Sequence, residues 1–108
     1  MTVAELKEKL GLTPLNEVYD KEVEGVFISD MVSDVMAGAK AGALWVTTQT
    51  HKNVVAAANL VDISAVIVTR GKAVPDETLE MANRAELTIL STDLDTYDFV
   101  GKLHEAKL

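Results

Sequence analysis

Apolar residues recur along this chain in two alternating rhythms, short continuous runs and helically spaced pairs, and the alternation predicts strands interleaved with helices. The helical rhythm appears first. Thr2-x-x-Glu5 is a capping-box pattern, and Leu6 and Leu10 follow at helical spacing. Gly11 suits a C-cap and Pro14 forbids continuation, so a helix is predicted from about Val3 to Leu10. A short strand is expected around Leu15 to Tyr19, then a charged turn at Asp20-Lys21-Glu22, then a better strand at Val26-Phe27-Ile28 ending at Ser29-Asp30. Asp30 is expected to cap a helix with Val32, Val35, Met36 and Ala39 on one face, Lys40 near its negative end and Gly42 closing it.

The remaining pattern is regular. Ala43 to Val46 reads as a strand and Asn53 to Leu60 as a helix of small residues. Ala65 to Val68 is the next strand, and Pro75 or Asp76 starts a helix carrying Leu79, Ala82 and Ala85 inward. Leu87 to Leu90 is a strand, and Asp95 opens a last helix with Phe99, Val100 and Leu103 inward. Strands alternating with helices imply right-handed crossovers and a mainly parallel sheet. Uninterrupted apolar strands such as Val66-Ile67-Val68 suit a sheet covered on both faces. The expected fold is a three-layer α/β/α sandwich, one domain spanning residues 1–108. Trp45 breaks an otherwise aliphatic core and is expected inside it rather than at an interface; Phe27, Tyr97 and Phe99 are the other candidates for a dimer face.

Composition narrows the class. A chain of 108 residues buries roughly 65% of its unfolded surface, enough for one modest core. Cysteine is absent, so neither disulfides nor thiolate metal sites stabilise it, which fits a reducing compartment. An acid and a base interrupt the first turn, where a secretory signal needs an unbroken apolar stretch, and no apolar run approaches the ~20 residues that span a bilayer. The expectation is a cytoplasmic protein without membrane contact. The net charge of −7, with 17 acids against 10 scattered bases, disfavours nucleic-acid binding, which needs clustered Lys and Arg.

Ligands of such sheets bind beyond the carboxyl ends of the strands, where the free amides of helix N-termini point. The strand-to-helix turns are Ser29-Asp30, Thr47 to His51, Thr69-Arg70-Gly71 and Ser91-Thr92-Asp93, all rich in hydroxyls. The same residue types cap helices, so each turn alone has a structural reading. The segment from Thr47 to Asn53 concentrates chemistry: the hydroxyls of Thr47, Thr48 and Thr50, the amides of Gln49 and Asn53, the imidazole of His51 and the ammonium of Lys52. His51 is a candidate anion donor, acid, base or phospho-acceptor, and equally an exposed or capping residue. Arg70 is a candidate clamp for a carboxylate or phosphate, or a surface ion-pair partner. Asp30 and Asp34, four residues apart, suggest a weak carboxylate pair, but capping by Asp30 and solvation of Asp34 is the preferred reading. His104 sits among charged residues. Two distant histidines without cysteine argue against a dedicated zinc site, and no P-loop or G-x-G-x-x-G motif occurs. No catalytic residue, cofactor or metal is expected.

The stretches Ser29 to Met36 and Ala43 to Ala58, with Trp45-Val46-Thr47-Thr48-Gln49-Thr50-His51-Lys52-Asn53 the most specific part, resemble DRTGG domains. Val66 to Gly71, Pro75-Asp76-Glu77 and Leu87 to Ser91 continue the resemblance over nearly the whole chain. DRTGG domains are related to the N-terminal domain of HPr kinase/phosphorylase and occur as regulatory inserts in phosphotransacetylases and CBS-domain pyrophosphatases. The resemblance implies an HPr-kinase-N-domain-like fold, a tendency to dimerise and no catalysis by the domain itself; the kinase domain and its P-loop are missing. In the family's naming signature a glycine would stand where this chain has Arg70, between Thr69 and Gly71.

Three readings follow. The first is a stand-alone regulatory or ligand-sensing module, a homodimer binding a nucleotide or another phosphorylated small molecule through Asp30, Thr47, Thr48, Gln49, Thr50, His51, Asn53, Thr69, Arg70, Gly71, Ser91 and Thr92. The alternative is a protein-interaction subunit of a larger complex. The third is a small enzyme or phospho-acceptor using His51, with Thr48 and Asn53 positioning substrate.

Overall fold

Helix α1 (Val3–Leu10) begins at its predicted capping box: the Glu5 amide donates to Thr2 Oγ1 and the Thr2 amide to Glu5 Oε1. It ends at Gly11, whose left-handed φ of 63° is the conformation glycine adopts without a Cβ clash. The computed structural model describes residues 1–108. Strands β1 (Thr13–Pro14) and β2 (Val26–Ile28) follow, then α2 (Val32–Gly38), β3 (Leu44–Thr47), α3 (Lys52–Leu60), β4 (Ala65–Val68), α4 (Asp76–Arg84), β5 (Thr88–Ser91) and α5 (Thr96–Glu105).

These strands form one five-stranded sheet in the order β1-β5-β4-β3-β2. β2 through β5 are parallel neighbours, and β1 joins the outer edge of β5 antiparallel. The period-2 alternation of the central strands sends Trp45, Val66, Val68 and Ile89 to one face and Leu44, Val46, Ala65, Ile67 and Leu90 to the other. On the first face they meet Val35 of α2, Val54, Val55, Ala57 and Ala58 of α3, and Ala82 of α4. On the second they meet Val3 and Leu6 of α1 and Phe99 and Leu103 of α5. The expected three-layer sandwich with a mainly parallel sheet is therefore observed. Trp45 and Phe99 are fully buried, so neither belongs to a surface interface, whereas Tyr97 is 86% exposed.

The structure differs from the sequence expectation in two places. Leu15 to Tyr19 is not a strand. Only Leu15 continues the edge ladder of β1, its amide donating to the Ile89 carbonyl. Beyond it the side chain of Asn16 takes over: Nδ2 donates to the Leu87 carbonyl and Oδ1 accepts the Ile89 amide, both at 2.7 Å. A side chain thus completes the edge of β5, and the main chain is free to turn away. Asn16→Ala strands these backbone groups and is expected to cost about 1–2 kcal/mol, read as a lower denaturation midpoint at unchanged slope.

The second difference is at α2. Its N-cap is Met31, with no side-chain capping bond, and Asp30 does not cap it. The helix stops at Gly38, with Ala39 already extended, so Lys40 and Gly42 lie beyond its end. Gly42 serves a different purpose. At φ 84° it makes a close approach in which a Cβ would lie 2.9 Å from Glu24 Oε2, and its amide donates to the Asp62 carbonyl. Asp30, lying outside the helix, forms no helical pair with Asp34. No helix is long and apolar enough to cross a membrane.

Candidate ligand-binding rim

Because β2 to β5 run parallel as successive neighbours, the four hydroxyl-rich turns leave the sheet at the same edge. The parallel register explains what Asp30 does instead of capping. Phe27 pairs with Trp45 and Ile28 with Val46, so continuing the ladder sets Ser29 beside Thr47 and Asp30 beside Thr48. The Thr47 hydroxyl donates to Asp30 Oδ1 at 2.9 Å, and the Thr48 amide donates to the same oxygen at 2.7 Å. Thr47 is buried, and its hydroxyl also accepts the Gln49 amide. The turn before Asp30 is fixed by Trp45, whose indole N–H donates to the Ser29 carbonyl at 2.8 Å, and by Ser29 Oγ, which accepts the Met31 amide.

The Asp30 carboxyl titrates below the usual range. Partial desolvation pushes it up, but the Thr48 amide, the hydroxyls of Thr47 and Thr48 and the positive charge of Arg70 together outweigh that push. Asp30 is thus a carboxylate anchored to the start of the neighbouring turn. Arg70 stands across the end of β3 from it with an exposed side chain and no ion pair.

Between Asp30 and Arg70 lies the start of α3. Its N-cap is His51, which is exposed, makes no side-chain capping bond and lines none of the cavities described below. The first-turn amides of α3 therefore lack a side-chain acceptor. Asn53 is exposed, and Lys52 pairs with Glu77 at 3.1 Å on the surface. Thr48, Gln49 and Thr50 are half-buried, and the Thr50 carbonyl accepts the hydroxyl of the buried Thr78.

The β4 and β5 turns are bound to each other. α4 leaves for one face and α5 for the other, and such divergence opens a crevice in sheets of this kind. Here it is laced shut. The Arg70 amide donates to the Leu94 carbonyl at 2.8 Å, the Gly71 amide to the Thr92 carbonyl at 2.9 Å, and Thr69 Oγ1 lies 2.9 Å from Thr96 Oγ1. Thr69 is fully buried. Gly71 is held under Asp93, where a Cβ would meet Asp93 Oδ1 at 2.8 Å. Ser91 and Thr92 consequently face elsewhere and line a cavity of about 270 Å³ with Leu10, Gly11, Thr13, Asp93 and Leu94.

The structure therefore brings together Asp30, Thr47 to Asn53 and Arg70 at one edge, while Ser91 and Thr92, bonded to the Arg70 turn through the backbone, line a different cavity. No three carboxylates or imidazoles converge on a metal-sized site. Lys72, exposed two residues beyond Arg70, adds a positive charge to the rim that the sequence reading did not single out.

Arg70 has a positive φ of 66°. Asp62, Glu86 and Lys107 share this property, but each follows the last turn of a helix, where left-handed residues are ordinary. Arg70 alone adopts it in a turn that follows a strand, two residues beyond the end of β4. Arg70→Gly relieves the left-handed cost and is expected to stabilise the fold by about 0.5–1 kcal/mol, a gain that thermal denaturation will show as a higher Tm.

Residues 5–106 match the family model of the DRTGG domain. No curated protein matches the chain in sequence. Among solved structures, the CBS and DRTGG domains of the regulatory region of Clostridium perfringens pyrophosphatase, complexed with the activator diadenosine tetraphosphate, superpose with a TM-score of 0.70 at 16% identity. That similarity covers 90% of this chain and 43% of the other, so the chain spans less than half the length of its structural neighbour.

Proposed function

Because the chain belongs to the DRTGG domain family, we propose that it is a non-catalytic cytoplasmic regulatory module, acting as a homodimer, that senses a nucleotide or another phosphorylated small molecule at the rim formed by Asp30, Thr48 to Asn53 and Arg70. One observation carries this reading: an anchored carboxylate and an exposed guanidinium stand beside a helix start without a side-chain cap, at the carboxyl edge of a parallel sheet. Guanidinium and helix amides are the groups that hold phosphate oxygens. The structural neighbour, in whose regulatory region a DRTGG domain accompanies CBS domains, was solved with a dinucleotide activator, which makes adenine nucleotides the first ligands to try. A thermal-shift screen of nucleotides and phosphometabolites tests the reading. A ligand at ten times its dissociation constant adds about 1.4 kcal/mol, a rise of roughly 5–10 °C for a domain this size. No shift with any of them removes ligand sensing from the proposal.

A second reading, a protein-interaction subunit, is favoured by the groove of about 220 Å³ between α2 and α3, lined by Val32, Met36, Asn53, Ala56, Ala57 and Leu60. Met36 and Leu60 are 47% and 68% exposed there. Sizing at micromolar concentration separates the two. A dimer sustains the homodimer, and a monomer rejects it and leaves this groove for a different partner.

A further inference from the structure

The two edges of the sheet are finished differently. At β1 the strand is two residues long, Pro14 has no N–H to offer, and the Asn16 side chain completes the edge of β5. At β2 nothing comparable protects the backbone. The Gly25 carbonyl accepts the Leu44 amide, and the Ser29 amide donates to the Val46 carbonyl. With Phe27 registered against Trp45 in a parallel pair, both backbone groups of Phe27 turn toward β3, and those of Val26 and Ile28 turn outward. No loop or turn backbone satisfies these outward groups. Two amides and two carbonyls therefore stand open along one line. The strand that carries them, Val26-Phe27-Ile28, holds no charge and no proline, and its register is unbroken by a bulge, so the usual devices that blunt an edge are absent. Ile28 is 47% exposed and packs into neither core layer. Beside the strand lies a cavity of about 210 Å³ whose lining includes Glu24, Phe27, Gly38 and Lys40.

We propose that β2 is a docking edge whose occupant is an extended, basic segment of a partner protein, joining the five-stranded sheet as a further strand. Backbone hydrogen bonding to the open groups of Val26 and Ile28 supplies the attachment, and the cavity beside Phe27 takes a side chain of the incoming strand. Charge selects the occupant. From residue 21 to residue 40 the chain carries the acids Glu22, Glu24, Asp30 and Asp34, all exposed, against Lys21 and Lys40. A second copy of this chain fits badly. The antiparallel register that satisfies all four open groups pairs Val26 with Ile28 of the copy, and it sets Glu24 opposite Asp30 at both ends. Like charges directly opposite one another destabilise a strand pair, whereas lysine or arginine at those positions of a foreign strand stabilises it. Nucleotide binding at the rim is independent of this edge, and neither test decides the other.

A random-peptide display selection against the full chain, followed by amide hydrogen exchange of the resulting complexes, tests the proposal. Enriched peptides are expected to be basic, poor in proline and β-branched at alternate positions. They are expected to protect the Val26 and Ile28 amides, which exchange rapidly in the free chain. Ile28→Pro removes one outward donor without touching the bonds to β3, and is expected to weaken the selected peptide about two- to tenfold, the worth of one neutral hydrogen bond. N-methylation of the peptide gives a readout that leaves the protein unaltered. At one alternate set of residues it is expected to abolish binding, and at the other to be tolerated. Enrichment of acidic peptides, enrichment of none, bound peptides that leave both amides unprotected, or equal tolerance of the two N-methylated sets overturns the proposal. Protection of Val26 and Ile28 in the free chain that fades on dilution assigns the edge to a second copy and overturns it as well.

Discussion

Trp45→Ala is expected to destabilise the fold by about 4 kcal/mol, the scale at which removing a large buried aromatic leaves a cavity its neighbours do not fill. Trp45 has no exposed surface and packs in the core beneath α2 and α3. Its indole N–H is also the donor for the Ser29 carbonyl, so the loss reaches the turn that carries Asp30. Trp45→Phe separates the two effects. It keeps most of the apolar volume, loses the hydrogen bond, and is expected to cost about 1–2 kcal/mol. Equilibrium denaturation of the two variants provides the comparison. Equal costs would show that the hydrogen bond, rather than the volume, dominates.

Asp30→Ala is expected to cost about 2–3 kcal/mol, because it leaves the buried Thr47 hydroxyl and the Thr48 amide without their acceptor. Asp30→Asn keeps an acceptor and is expected to cost much less at neutral pH. Wild type and Asp30→Asn also differ in acid. The folded carboxyl titrates below its unfolded value, so its contribution is present above the unfolded value and is lost as pH falls through the folded one. In Asp30→Asn that part of the acid decline is expected to disappear. Urea midpoints measured from pH 6 down to pH 2 test this, and an unchanged acid limb in the Asn variant would assign the decline to other carboxylates.

Much of the fold was legible because the signals are local. Thr2 with Glu5 and Asp95 ahead of α5 act as the caps their residue types suggest. The apolar run of Val66-Ile67-Val68 reports a strand covered on both sides, since each residue meets a helix on one face or the other. The misread segments are those where a side chain answers a distant backbone. Asn16 completes an edge formed by Leu87 and Ile89, and nothing within five residues of it marks that role. Asp30 carries a residue type that caps helices, yet its donors lie on the next strand. Aligning Val26-Phe27-Ile28 with Leu44-Trp45-Val46 and extending the register would have revealed it.

The candidate site was legible as a set of turns on one edge but not in its internal division. The bonds that close the β4 and β5 turns come from the backbone amides of Arg70 and Gly71, and backbone donors leave no trace in residue type. Only the glycine at 71, which lies tight under Asp93, hints at the approach. Thr69 and Thr47 look like ligand-facing hydroxyls in sequence and are buried in the structure. Arg70 and Asp30, by contrast, are exposed.

The most direct test of the account is an amide-resolved NMR titration of the intact chain with diadenosine tetraphosphate. Perturbations are expected to concentrate at Asp30, Thr48 to Asn53 and Arg70 to Lys72 and to saturate with ligand. Perturbations confined to the cavity between Gly11 and Asp93, or none at all, would contradict it.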